Sequence, residues 1–273
     1  MDLSKIIEII ADPSNSEAIR TRDQIARRLR ELGHDVAESK DEIEKTPFII
    51  AIGGDGAILK AANIEADRQL RFIEEHHLAP KVVPILGINR GNRGFLASIQ
   101  SGQDWQSRLD QALEGKYFVK KRTRISLRVN RLEKEIFFGN ALNEFHFGRA
   151  DEHIISPVIH VSGMEYPLNL SRGDGIIICT ATGSTAYNAS AYGQVIYRQD
   201  KLVATVICPT DKENGHSVLI DACQNCSFDV PNRQSMFVEI DGRRKFLLES
   251  GDRVLVEKSV IATNTMEFGD EMP

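Results

Sequence analysis

No apolar run in this 273-residue sequence approaches the roughly 18 residues that a membrane-spanning helix needs. The opening segment, MDLSKIIEIIADP, contains one short apolar stretch with acidic residues inside it. It has neither a basic start nor a small-residue cleavage site, so it does not resemble a signal peptide. These absences predict a cytoplasmic protein that does not associate with a membrane.

An excess of positive charge is also missing. Lysine and arginine number 34 against 39 aspartates and glutamates, which gives a formal net charge of −5, and no lysine-rich block is present. This balance gives no electrostatic attraction to nucleic acid, so no nucleic-acid partner is expected. The length suits two domains with cores of their own.

Cysteine is scarce, with residues only at 179, 208, 223 and 226. A cytosolic chain of this length seldom uses disulfides. CQNC, Cys223 to Cys226, has the spacing of half a zinc site, but a second pair at that spacing is missing. The sequence therefore favours free thiols and predicts no metal ligands; a zinc site would require the fold to gather all four cysteines.

Several familiar catalytic fingerprints are absent. The sequence contains no Walker A motif, no G-x-G-x-x-G, no G-x-S-x-G and no H-E-x-x-H. These absences argue against an ordinary P-loop nucleotide triphosphatase, a Rossmann dehydrogenase, a serine hydrolase and a zinc protease.

The first half alternates apolar strands with amphipathic helices in a β-α-β-β-α-β order. KIIEIIA, HDVAE, PFIIAI and KVVPILGI are the strand candidates. The pattern predicts a Rossmann-like α/β domain with a mainly parallel sheet over residues 1–115. Ser14 and Glu17 have the spacing of a capping box for the first helix, and Gly33 suits its C-terminal end.

After residue 115 the pattern changes to short strand candidates separated by turn residues. RISLRVN, GIIICTA, LVATVICP and MFVEIDG are typical examples. Such a series predicts an all-β, sandwich-like domain over residues 116–273. The pattern leaves open whether the last residues return to the first domain.

A glycine-bearing loop, GGDG, follows the buried strand PFIIAI. Its glycines allow backbone N–H groups to approach a phosphate, and the following helix start supplies a positive dipole end. A phosphate cradle does not need a carboxylate in its middle. Asp55 therefore holds a cation, accepts a proton, or caps the following helix, and spacing alone does not decide between these roles.

Three further segments carry candidate site residues. GINRGNRGFL, Gly87 to Leu96, is a second glycine loop or a plain turn. ALNE places Asn143 beside Glu144, and adjacent strand residues face opposite ways unless the chain bends. RGDGIIICTATGSTAYNAS, Arg172 to Ser190, is dense in hydroxyl groups that suit ribose, amide or phosphate groups, although a polar turn is the alternative.

Taken in order, GGDGAILKAA, GINRGNRGFLA, ALNE, RGDGIIICTATGSTAYNASA and VEIDGRR resemble the motifs of the NAD kinase (ATP-NAD kinase) family. The resemblance implies an α/β domain followed by a β-sandwich-like domain. It also implies phosphoryl transfer from ATP, or from polyphosphate in some members, to the 2′-hydroxyl of NAD, which gives NADP. Mg²⁺ or another divalent cation is expected with the donor, and a homodimer or homotetramer is the expected assembly.

The resemblance also assigns roles to individual residues. Asp55 matches the general base on the 2′-hydroxyl, and Gly54 and Gly56 shape the loop at the donor phosphates. The implied NAD-binding residues are Asn143 and Glu144 for adenosine, Asp174 for the nicotinamide end, and Thr182, Thr185, Ala186, Tyr187 and Ser190 for the adenine and ribose, with Phe95 near the adenine.

The sequence departs from the family pattern at five places: Ala57, Arg93, Ala181, Tyr192–Val195 and Thr210. Ala57 stands where threonine is usual, and Thr210 stands where histidine is usual. Two other functions remain as alternatives: another GGDG-type kinase, such as a lipid kinase, or a regulator that binds NAD(P) and has weak catalysis.

Overall fold

The computed structural model describes residues 6–37, 46–92, 94–156, 158–211 and 215–269. Contacts divide the chain into two compact units. The first contains the described residues up to Arg122 and those from Ala262 onwards, and the second is Thr123–Ile261. The change from helices and strands to strands alone in the sequence predicts the domain boundary at residue 116, by a criterion different from contacts.

The first unit alternates strands and helices as the apolar pattern predicts. Its elements are β1 (Ile6–Ala11), α1 (Ser16–Glu31), β2 (Asp35–Val36), β3 (Ile49–Gly53), α2 (Asp55–His76), β4 (Ile85–Asn89) and α3 (Trp105–Leu113). Strands β2, β1, β3 and β4 lie side by side and pair in parallel. The predicted mainly parallel sheet is thus confirmed, and the carboxyl ends of β3 and β4 lie next to each other.

The core of this unit forms where the apolar face of α1 packs on the sheet. Ala18, Ile25 and Leu29 of the helix join Ile50 and Ile52 of β3, all with no exposed surface. β3 is buried along its whole length because helices cover such a sheet on both faces.

The predicted capping box of α1 is wrong. The N-cap is Asn15, whose side chain accepts the N–H groups of Glu17 and Ala18. Ser14 instead donates to the carboxylate of Asp12. Asn is as good a cap as Ser, and the Asp12–Ser14 turn decides which of them takes the position. Gly33 adopts φ +80° just beyond the helix end, as its C-terminal cap role predicts.

The second unit is all-β, as predicted, and its strands pair antiparallel. Its strands are β5 (Phe118–Arg131), β6 (Lys134–Ala141), β7 (Glu144–Arg149), β8 (Val158–Val161), β9 (Leu168–Asn169), β10 (Gly175–Thr180), β11 (Lys201–Ile207), β12 (Ser217–Asp221), β13 (Cys226–Asp229), β14 (Met236–Ile240), β15 (Arg244–Leu248) and β16 (Arg253–Glu267). A six-stranded sheet runs in the order β12-β11-β10-β7-β14-β15. The other strands pack against one of its faces around a shared apolar core.

Two strands pass from one unit to the other. β5 leaves the first unit after Arg122, and β16 returns to it at Ala262. Thr265 of β16 then pairs in parallel with Ile85 of β4, and Met266 lies in the first unit's core. No helix among the described residues is both long and apolar enough to span a bilayer.

Candidate active site

The GGDG turn connects the end of β3 to the start of α2. Gly53 adopts φ +146°, and a Cβ there would lie 2.8 Å from the Cβ of Ala57. Gly54 is the N-cap and has no side chain with which to cap. Asp55 is the first helical residue, and Gly56 follows it in the first turn. The glycines therefore let the chain turn sharply while Asp55 is presented at the helix start.

Asp55 does not cap α2. Its carboxylate accepts the N–H of Phe95 on Oδ2 at 2.9 Å and the N–H of Leu96 on Oδ1 at 3.0 Å. Gly94 lies so close that a Cβ on it would meet Oδ1 at 2.7 Å. The two glycine loops thus meet at Asp55, and of the three roles that spacing left open, the helix cap is excluded. Arg93 lies outside the described residues.

The second glycine loop is fixed to the end of β4 by its own side chains. Asn89 donates to the carbonyl of Asn92 at 2.6 Å and accepts the N–H of Gly91 at 2.9 Å. The N–H of Arg90 donates to the carbonyl of Gly53, which ties this loop to the first. Sequence reasoning missed Asn89 because an asparagine at a strand end is equally common in plain turns.

A buried cation lies within electrostatic reach of Asp55. Arg122 is 6% exposed and donates to the hydroxyl of Thr265 at 3.0 Å. Burial lowers the pKa of Arg122, and the charges of Glu267 and Asp55 oppose that change. The first unit therefore combines a fixed carboxylate, a helix start and a guanidinium.

In the second unit the chain bends between β6 and β7, at residues 142–143. Two adjacent residues need such a bend if their side chains are to face one ligand, as the family resemblance implies for Asn143 and Glu144. Asn143 Oδ1 and Glu144 Oε2 are buried without a hydrogen-bond partner. Burial raises the pKa of Glu144 to about 8, and the negative charges of Asp241 and Glu239 add to this rise.

The TGSTAY segment lies directly against this bend. Thr180, at the end of β10, donates its N–H to the carbonyl of Asn143 at 2.9 Å and its hydroxyl to that of Leu142 at 2.6 Å. A Cβ on Gly183 would lie 2.2 Å from the carbonyl oxygen of Asn143. Only glycine permits this approach, which joins the two motifs into one site.

The hydroxyl groups of this segment divide into structural and available groups. Ser184 is fully buried and donates to the carbonyl of Ala181, and Thr185 donates to that of Thr182. Thr182 Oγ1 is buried without a partner. Tyr187 and Ser190, on the short helix α4 (Tyr187–Ser190), are exposed.

Three of the seven buried side-chain polar atoms that lack a partner in the described residues therefore belong to the ALNE bend and the TGST turn. Each unpaired buried group costs about 1–3 kcal/mol. A ligand that pairs them recovers this cost, so the arrangement fits a polar ligand such as a nucleoside.

Tyr187 packs on a histidine that sequence reasoning passed over. The rings of His146 and Tyr187 meet edge to face, with centroids 5.2 Å apart. Glu239 Oε2 lies 3.5 Å from His146 Nδ1. Burial lowers the pKa of His146, and Glu239 opposes that change. His146 thus packs against Tyr187, which the family resemblance implies is a ligand-binding residue.

Asp174 lies at the other end of β10 from the TGST turn. Six strand residues separate the two, or about 20 Å at 3.3 Å per residue. Its carboxylate forms an ion pair with Arg149 at 3.3 Å. The structure therefore does not bring Asp174 beside Asn143 and Glu144. Thr210 donates its N–H to the carbonyl of Arg172 at 2.8 Å and so holds the chain just before Asp174.

The four cysteines are free thiols, with Cys179 and Cys226 buried and Cys208 and Cys223 exposed. Among the residues that the structure describes, no group of three or more His, Cys, Asp or Glu side chains is arranged to hold a metal ion. These residues do not fit a resident metal, and CQNC does not form half of a zinc centre in this part of the chain.

Two family models match the chain. The ATP-NAD kinase N-terminal domain matches residues 37–117, and the ATP-NAD kinase C-terminal domain matches residues 142–268. The NAD kinase of Natranaerobius thermophilus is 33% identical over 82% of this chain and 74% of its own length. That of Geotalea daltonii is 32% identical over 85% of this chain and 76% of its own length.

Two solved structures share the fold. Yeast NADH kinase complexed with NADH has a TM-score of 0.76 at 17% identity, over 97% of this chain and 84% of its own. An NAD kinase from Archaeoglobus fulgidus in complex with ATP has a TM-score of 0.71 at 23% identity, over 97% of this chain and 93% of its own.

Proposed function

Since this chain belongs to the NAD kinase family, we propose that it transfers the terminal phosphoryl group of ATP to the 2′-hydroxyl of the adenosine ribose of NAD, which gives NADP. The set of buried, unpartnered oxygens at the ALNE bend and the TGST turn carries this proposal. These oxygens are ready to bind the amino and hydroxyl groups of adenosine.

Asp55 is the general base in this proposal. A ribose hydroxyl is a poor nucleophile, and a carboxylate that takes its proton assists the attack on the phosphorus. The N–H groups of Phe95 and Leu96 hold this carboxylate in one orientation. Positioning of this kind is what phosphoryl transfer needs most.

The phosphates of ATP bind at the GGDG turn. Gly54 and Gly56 add no side chain at the start of α2, a 22-residue helix whose N-terminus favours anions. The divalent cation, Mg²⁺ for preference, enters as part of the ATP substrate, since the described side chains do not form a metal site. The second unit binds NAD through Asn143 and Glu144.

The remaining assigned residues complete the NAD site. Asp174, at the far end of β10, binds the nicotinamide end, and its separation from the bend suits an extended dinucleotide. The adenine and ribose are bound by Thr182, Thr185, Ala186, Tyr187 and Ser190, with Phe95 near the adenine.

One assay separates this function from its alternatives: NADP formation from NAD and Mg²⁺–ATP, with diacylglycerol and sphingosine as other acceptors and polyphosphate as another donor. Phosphorylation of NAD alone is the expected result. Phosphorylation of a lipid but not of NAD would indicate another GGDG kinase. NAD binding without turnover would indicate a regulator.

The family resemblance also supports a cytoplasmic protein that forms a homodimer or homotetramer. Light scattering coupled to size-exclusion chromatography measures the assembly directly. A mass equal to that of one 30.5-kDa chain would contradict it.

A further inference from the structure

The VEIDGRR motif contributes one buried charged side chain, Asp241, to which neither the family resemblance nor the proposed function assigns a role. Asp241 follows β14, is 5% exposed and adopts φ +49°. Asp241 and Gly242, which adopts φ +65°, form the tight turn between β14 and β15, and positive φ is usual for an Asp-Gly pair in such a turn.

The carboxylate of Asp241 accepts three consecutive backbone N–H groups. Those of Asn143 and Glu144 donate to Oδ1 at 2.8 and 3.2 Å, and that of Leu142 donates to Oδ2 at 3.1 Å. In return, the N–H of Asp241 donates to the carbonyl of Glu144 at 3.1 Å. Four hydrogen bonds thus fix the bend between β6 and β7.

A bend of this kind lets two adjacent residues, here Asn143 and Glu144, turn their side chains towards one ligand. In a straight strand the two side chains would face opposite ways. Their unpartnered atoms, Oδ1 and Oε2, need defined positions if they are to meet a ligand. A carboxylate that accepts several backbone N–H groups fixes the backbone there, and its charge makes these hydrogen bonds stronger than those to a neutral acceptor.

We propose that Asp241 is a positioning residue of the NAD site, which holds the bend at residues 142–144 so that Asn143 and Glu144 meet the adenosine of NAD. The proposal rests on the proposed function, because it concerns the same ligand. It assigns Asp241 an effect on the affinity for NAD rather than on the chemical step.

The charge of Asp241 also acts on Glu144. Asp241 and Glu239 raise the pKa of Glu144, and among the described residues Cys179 on β10 and Tyr187 on α4 also interact with it. Removal of the charge at residue 241 therefore lowers the pKa of Glu144. The midpoint of the pH dependence of NAD affinity then moves to lower pH.

The test is Asp241→Asn in the full chain, with NAD affinity measured by calorimetry from pH 6 to pH 9 and with steady-state kinetics. An amide accepts on one side only, so a donor faces one of the three N–H groups. We expect the Kd and KM for NAD to rise about tenfold, kcat to change less than about threefold, and the pH midpoint to fall.

Asp252→Asn is the matched control. Asp252 is also a buried carboxylate of the second unit, and it accepts the N–H of Glu249 and the guanidinium of Arg131. Its substitution lowers the Tm but leaves the Kd for NAD and its pH midpoint unchanged. Asp241→Glu, which keeps the charge but moves the acceptors, weakens NAD binding without the shift in midpoint.

Equal Kd values in wild type, Asp241→Asn and Asp241→Glu would overturn the proposal, and so would a loss that the Asp252 control matches. If Asp241→Asn does not fold, the Kd of Asp241→Glu for NAD tests the proposal alone, and a value equal to that of the wild type overturns it. A wild-type chain that binds no NAD would instead contradict the proposed function, so the two failures are distinguishable.

Discussion

The two units satisfy the polar groups of their sites in opposite ways. In the first unit, both oxygens of Asp55 accept a backbone N–H, from Phe95 and from Leu96. In the second unit, Asn143, Glu144 and Thr182 each keep a buried side-chain oxygen without a partner. The carboxylate of Asp55 is therefore held by the protein itself, whereas these three oxygens of the second unit are not.

The difference matches two kinds of task. A base that abstracts a proton in each turnover needs one fixed orientation, and backbone donors give it that at no cost in reorganisation. A recognition site gains selectivity when its own groups are paired only by the correct ligand. In our proposal, NAD pairs these atoms and so restores the stability that the second unit loses through them.

Two buried glutamates, Glu65 in the first unit and Glu144 in the second, show the same difference between paired and unpaired groups. Glu65 on α2 accepts the N–H of Val83 at 2.9 Å and lies 3.9 Å from the guanidinium of Arg68. Glu144 has an unpartnered oxygen and two negative neighbours, Asp241 and Glu239. Glu65 is a structural group, whereas Glu144 is a ligand-binding group in our proposal.

The largest effect is expected for Asp55→Asn. The amide cannot accept a proton, so kcat should fall about 10²- to 10⁴-fold, the range that general base catalysis supplies. The Kd for NAD should change little. Kinetics and calorimetry measure the two quantities, and Asp67→Asn, at an exposed position of α2, is the control. Near-normal turnover would remove Asp55 from its assigned role.

The next largest effect is expected for Gly183→Ala. Its Cβ would lie 2.2 Å from the carbonyl oxygen of Asn143, so the TGST turn and the ALNE bend must separate. We expect the Kd for NAD to rise at least about tenfold, a cost of about 1.4 kcal/mol. Gly215→Ala is the control, since nothing lies within 4 Å of that Cβ. Equal affinities in both variants would argue against one joined site.

Asn143→Ala should weaken NAD binding about three- to tenfold, the value of one or two neutral hydrogen bonds. Because Asn143 Oδ1 has no partner without ligand, the Tm of the ligand-free variant should not fall. Asn188→Ala should lower the Tm, since Asn188 donates to the carbonyls of Ser184 and Gln194. A large loss of Tm in Asn143→Ala would make this residue structural.

Glu65→Gln should have the smallest effect on the reaction, with NADP formation unchanged. Burial raises the pKa of Glu65 from 4.5 to about 7, so the folded state binds more protons than the unfolded state between these values. Stability is therefore lost as pH rises from about 4.5 to about 7. The variant should lack this loss in denaturant titrations, and Glu75→Gln, at an exposed position, should retain it.

The sequence predicts most of the fold because apolar periodicity is local. β3, α2 and the antiparallel strands follow directly from it. The pattern does not predict β9 and β13, because LN and CSFD are short and mix apolar with polar residues. Spacing predicts Ser14 rather than Asn15 as the helix cap, because the contact of Ser14 with Asp12 that decides between them lies outside the helix.

The candidate site is less predictable because its contacts span long separations in the chain. The carboxylate of Asp55 meets an N–H donor 40 residues away, and that of Asp241 meets one 98 residues away. No local pattern contains such pairs. The sequence motifs identify the loops, but only the fold shows which polar groups have hydrogen-bond partners and which have none.

The return of β16 has a consequence for how the protein is made. Its segment from Ala262 pairs with β4 and places Met266 in the first unit's core, and Gln69 on α2 donates to the carbonyl of Ala262 at 2.9 Å. Synthesis on the ribosome runs from the N-terminus. The unit that begins first must therefore wait for its last strand until the whole second unit has emerged, and a fragment ending at Arg122 would lack that strand altogether.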